Sequence, residues 1–214
     1  MHRHRSALSV SAVAALLLGA PLLTGCGEAA HPGAAAVVDG QRITVGQVQS
    51  RAEEVRDAQR AEPESAQLIQ STGPLARYTL NGMIRQKVVE RAAEEEGVRV
   101  TRRDVQEFRA ERVKEAGDPA SFRARMLQER AVAPGQIDEV LRMDLMVLKI
   151  AESLGVDLNS PDAGEVMDRT FVATAEDMGI DISPRFGEWS NEQVSLTGSQ
   201  EPWLKAAPEE QQPA

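Results

Sequence analysis

The sequence predicts a mostly α fold of about six helices, with short extended segments near both ends of the chain. Three observations carry that expectation. Aromatic residues make up only 3% of the chain while hydrophobic residues make up 42%, which asks for a helical core of Leu, Val, Ile, Met and Ala. Leu80, Met83, Ile84, Val88 and Ala92 are spaced three, one, four and four apart, one face of a 3.6-residue helix that stops at Gly97. Residues 36–44 and 180–189 read instead as extended chain, the first with an Asp39-Gly40 turn inside it.

In order, residues 1–25 read as a targeting segment. His2, Arg3, His4 and Arg5 make a basic start, residues 7–23 are apolar, and Leu23-Thr24-Gly25-Cys26 resembles a bacterial lipobox. The small residues suit a signal peptidase, and Cys26 is the expected lipid attachment point. It is the only cysteine, so no internal disulfide is available. A diacylglyceryl cysteine inserts at least two acyl chains, which holds a protein on a membrane where one chain does so only marginally. The expected location is therefore the cell membrane, lipid-anchored on the extracytoplasmic side.

Residues 26–35, rich in Gly, Ala and Pro, read as a tether. The net charge is −9, and loss of Arg3 and Arg5 with the leader makes it about −11. Such a surface excludes nucleic acid as a partner and repels anionic lipid. The remaining length suits one domain, residues 36–196, followed by a loose tail over 197–214.

Within the domain, Thr44 with Gln47 fits a capping box, so a helix begins at Val45 and shows Val45, Val48, Ala52 and Val55 on one face. Residues 62–73, flanked by prolines, are a loop or a broken helix. The aliphatic helix follows, then Gly97, an extended link through Val100, and Thr101 as the cap of a charged helix with Asp104 in its first turn. That helix stops at Gly117. Asp118-Pro119 starts another, with Phe122, Met126 and Leu127 apolar. Pro134 opens a long helix whose Ile137, Val140, Leu141, Leu145, Leu148 and Leu154 form a face wide enough to need partners on two sides. Residues 155–161 connect it to a last helix, which ends at Gly179.

The order of aliphatic helix, Glu-Glu-Glu-Gly-Val-Arg-Val-Thr and charged helix over residues 74–108 resembles the N-terminal domain of SurA-type chaperones and their PrsA-like relatives. The opening Val-Val-Asp-Gly-Gln-Arg-Ile-Thr, residues 37–44, and Pro-Arg-Phe-Gly-Glu-Trp, residues 184–189, resemble the same family in the same order. The resemblance implies a chaperone module whose small sheet joins N-terminal and C-terminal segments. On that basis part of residues 186–196 is expected to pair with Val37-Val38 or Arg42-Ile43. Catalytic relatives carry a parvulin prolyl isomerase between the helices and the closing segment. The matching connector, residues 155–161, is far shorter than the roughly 50 residues of a small domain, so the isomerase activity is not carried over.

The chemistry-bearing residues point the same way. The three histidines, His2, His4 and His31, fall in the leader and the tether, and the only thiol is the lipidation candidate. A histidine triad, a histidine metal site and cysteine catalysis are excluded from the folded body, and no cofactor is expected. Glu53-Glu54 and Glu94-Glu95-Glu96 read as solvated helix faces, because neighbours on a helix point apart. What remains is surface. Methionine is flexible and polarizable and can line a groove that fits many apolar segments, or fill gaps in a core. Met83, Phe122, Met126, Met143 and Met146 are the client-binding candidates. Trp189 and Trp203 anchor the closing segment or touch a client.

The sequence thus favours a membrane-anchored, non-enzymatic holdase for unfolded or newly exported polypeptides. A structural lipoprotein with one dedicated envelope partner, and an isomerase with a degenerate site, are the alternatives.

Overall fold

The computed structural model describes residues 33–198. Cys26 and Trp203 lie outside the described residues, as do nearly all of the tether and tail.

The chain opens with a hairpin of β1 (Ala34–Val38) and β2 (Gln41–Thr44), in which Val38 faces Gln41 across the turn. Asp39 and Gly40 both take positive φ, 49° and 70°, as a two-residue hairpin turn requires. Thr44 then caps α1 (Val45–Arg60). Its hydroxyl accepts from the Gln47 amide while the Gln47 side chain accepts from the Thr44 amide, the reciprocal pair expected.

Residues 62–73 contain a helix of their own, α2 (Ser65–Ser71), which brings the described helices to seven. It is held by a buried clamp rather than by propensity. Gln59, fully buried on α1, donates to Thr72 Oγ1 at 3.1 Å, and Arg56 donates to Gln59 and to the Ile69 carbonyl. Buried polar groups need such partners.

The central helix, α3 (Leu75–Glu95), ends where glycine closes it. Gly97 has φ 66°, and the amides of Gly97 and Val98 donate to the Glu94 and Ala93 carbonyls, which satisfies carbonyls that a helix end leaves bare. Thr101 and Asp104 cap α4 (Arg102–Ala116) reciprocally, and Asp118 caps α5 (Pro119–Arg130). A 3₁₀ turn, Pro134–Gln136, leads into α6 (Ile137–Ser153). After a short connector comes α7 (Ala163–Met178), ended by Gly179 at φ 59°.

The closing strand is β3 (Ile180–Ile182), which pairs antiparallel with β1 to give a three-stranded sheet in the order β2-β1-β3. The expected sheet forms, but not from residues 186–196. The chain reaches β1 at once after Gly179: the Asp39 amide donates to the Met178 carbonyl at 2.9 Å and the Ser183 amide to that of Ala35 at 3.0 Å. Pro184 has no amide to continue the ladder, and Gly187, at φ 106°, turns the chain away. Residues 188–197 instead make their own hairpin, β4 (Glu188–Ser190) with β5 (Ser195–Thr197). It docks on α3, where the Leu196 amide donates to Asn81 Oδ1 at 2.7 Å and Arg77 donates to the Leu196 and Thr197 carbonyls. The Trp189 indole donates to Asn191 within this hairpin.

Two large apolar clusters share α3. One joins Ala36, Val38, Ile43 and Val48 of the N-terminal segment to Leu80, Ile84 and Val88 of α3, Ala175 and Met178 of α7, and Phe186. The other joins Val89, Ala92 and Ala93 of α3 to Val105, Phe122, Met126, Ile137, Leu141, Met146 and Ile150.

Candidate functional site

Side chains of α3, α4, α5 and α6 enclose a groove of about 640 Å³. Its α3 wall carries Tyr78, Met83 and Arg85, α4 adds Phe108 and Arg112, α5 adds Phe122 and Met126, and α6 adds Val140, Met143, Val147 and Leu148. Phe171 of α7 reaches it as well. This volume lies within the range of small-ligand clefts, roughly 300–1,000 Å³.

Four of the five sequence candidates meet here. Met83 and Met143 are half-buried in the lining, while Phe122 and Met126 lie deeper, each 5% exposed. Met146 is elsewhere: it is buried in the core on the same side of α6 as Ile150, and does not line the groove. The lining also holds residues outside the candidate set, among them Tyr78 and Leu148, both exposed, and Phe108. A signal for the first was present, since Tyr78, Gly82 and Arg85 fall at i, i+4 and i+7 on one face of α3. An exposed Leu148 could not be foreseen from a helix apolar on most of its circumference.

The rim is fixed by charge. Arg130 grips Asp144 through two hydrogen bonds of 2.6 and 2.9 Å, and this pairing raises the guanidinium pKa further above its ordinary value. Tyr78 Oη donates to the Arg130 carbonyl at 3.1 Å, tying α3 to the end of α5. Arg51 of α1 pairs with Glu139 of α6, and Gln136 donates to Glu54 and to the Arg51 carbonyl. A neighbouring pocket of about 540 Å³ shares Arg51, Met83, Gln86 and Glu139 with the groove and extends it along α3 toward Ile43.

The carboxylates held below the ordinary aspartate range are cap and turn residues. Asp104 is lowered first by the Thr101 amide, Asp118 by the Ser121 hydroxyl, Asp157 by the Asn159 amide and Asp162 by Ser160. None of them lines the groove. The glutamate runs are also dispersed: Glu54 accepts from Gln136, and Glu95 pairs with Arg91 and accepts from Thr174. Among the described residues no group of three or more His, Cys, Asp or Glu is placed to hold a metal ion, and no helix is long and apolar enough to cross a membrane. What the geometry offers is a half-open apolar surface with a charged rim.

Among the described residues, seven helices and a small sheet surround this groove, which runs along the central helix. The family model described as SurA-like N-terminal domain matches residues 1–151, and the chain belongs to that family. The match ends within α6, so α7, β3 and the β4–β5 hairpin lie beyond it. No curated protein and no solved structure matches the chain.

Proposed function

We propose that the protein is a membrane-anchored extracytoplasmic holdase that binds unfolded or newly exported polypeptides in the α3–α6 groove. The observation that carries this is the groove lining itself. Met83 and Met143 are half-buried, and Tyr78 and Leu148 are 55% and 39% exposed, on a domain whose other apolar residues are largely packed away. A half-open cleft lined mainly by apolar side chains with a few polar groups at its edge is the usual form of a binding site. Methionine walls adapt to segments of different shape, which suits many clients better than one. The mechanism is binding rather than bond chemistry. An apolar client segment leaves water against the groove, and the acidic exterior, from a chain of net charge −9, keeps the complex dispersed.

Anchoring through Cys26 completes the proposal, placing the holdase where exported chains emerge. The test is light scattering of a chemically denatured client with the chain exported as Cys26→Ser, so that no lipid is added. Suppressed aggregation by that protein, reduced by Met83→Glu or Met143→Glu, supports the holdase. Failure to suppress with several clients at stoichiometric excess would transfer the groove to a single dedicated partner. Detergent-phase partitioning of the parent chain, lost in Cys26→Ser, tests the anchor separately.

A further inference from the structure

The groove is electropositive on an acidic chain. Four arginines, Arg51, Arg85, Arg112 and Arg130, line it against two carboxylates, Glu139 and Asp144. Both carboxylates already have partners, in the Arg51–Glu139 and Arg130–Asp144 pairs. Arg85 is exposed on α3 and makes no ion pair or side-chain hydrogen bond among the described residues. Arg112 lies over the Phe108 ring at 4.9 Å, reaches Glu115, which is not part of the lining, at 3.0 Å, and keeps a buried Nε without a hydrogen-bond partner. Two cations therefore share the lining with Met83, Phe122 and Met143 without a groove carboxylate as partner: Arg85 has none, and Arg112 has only Glu115 outside the lining.

Resting on the reading of this groove as a client site, we infer that it selects apolar segments bearing a carboxylate, an aspartate or glutamate beside aromatic or aliphatic residues. Arg85 and Arg112 are the specificity-determining residues. A guanidinium presents a planar fork that matches a carboxylate, and an incoming acceptor gives these arginines what the groove itself does not. An acidic segment brings the opposite charge to both arginines, whereas a basic segment brings a like charge. The acidic exterior opposes this only at long range, and salt screens it beyond roughly 8 Å at physiological ionic strength. Discrimination is thus local to the groove.

The experiment uses the chain exported with Cys26→Ser and three fluorescent peptides of identical apolar sequence, flanked by aspartate, asparagine or lysine, followed by anisotropy at physiological ionic strength. The aspartate peptide should bind about fivefold more tightly than the asparagine peptide, and the lysine peptide most weakly. Arg85→Gln with Arg112→Gln should bring the three affinities together. The lysine peptide should then bind more tightly than it does to the parent, a gain that a misfolded variant cannot give. Equal affinities for all three peptides on the parent overturn charge selection and leave the client groove standing. Absence of binding by every peptide, or binding indifferent to Met83→Glu, removes the groove reading and this inference with it.

Discussion

The two faces of α3 show how one helix divides its residues between folding and binding. Leu80, Ile84 and Val88 are fully buried against the sheet and α7, while Tyr78, Met83 and Arg85 line the groove with Tyr78 55% exposed. Leu80, Ile84 and Val88 repeat every four residues on one stripe, Tyr78 and Arg85 fall seven apart on another, and Met83 sits at the edge of the covered stripe, partly buried against its cluster. The two stripes differ in whether another element covers them. The covered face supplies stability through burial, and the uncovered one keeps apolar surface available to a partner. Substitutions on the two faces should therefore separate stability from binding.

The largest effect is expected on the covered face. Ile84→Ala removes a fully buried side chain from a packed cluster and should cost about 3 kcal/mol in chemical denaturation. A cost below about 1 kcal/mol would mean that this face is no more closed than the groove. Next come the caps, which hold helices on both sides of α3. Thr44→Ala and Thr101→Ala should each cost about 1 kcal/mol, and their effects should add, since they start different helices and share no partner.

On the groove face, Met83→Ser should cost no more than about 1 kcal/mol, because the side chain is only half-buried, yet it should weaken suppression of client aggregation several-fold. Equal loss of stability and of suppression would erase the distinction between the faces. The smallest effect concerns acid. Asp118 has a folded pKa below its unfolded value of about 3.9, so the stability it contributes is full above that value and is lost as pH falls through the depressed folded one. Asp118→Asn should flatten the stability profile across this acid window without changing groove affinity near neutral pH; an unchanged acid limb would remove Asp118 from the balance.

Much of the fold was legible because its signals are local. The capping boxes at Thr44 and Thr101, and the glycine stops at Gly97 and Gly117, each close hydrogen bonds within a few residues, so the sequence carries both partners side by side. The short helix α2 was not legible, because the Gln59–Thr72 clamp that fixes it spans 13 residues and joins two elements. Four groove residues were readable as apolar positions on helices, whereas Met146 was not separable from Met143 until α6 was seen to turn one inward and the other to the groove.

The sequence by itself determined the mostly α class, the positions where helices begin and end, and the absence of histidine and cysteine from the described body. These follow from composition and from contacts a few residues apart. Only the tertiary structure decided that β3 rather than residues 186–196 closes the sheet, that the later hairpin docks on Asn81 across 115 residues, and which apolar stripe of α3 stays uncovered. The physical reason is that helical periodicity marks a face as apolar without naming its partner. Partner choice depends on which distant segment can reach that face with its backbone hydrogen bonds satisfied, as Pro184 and Gly187 show by turning the chain away from β1.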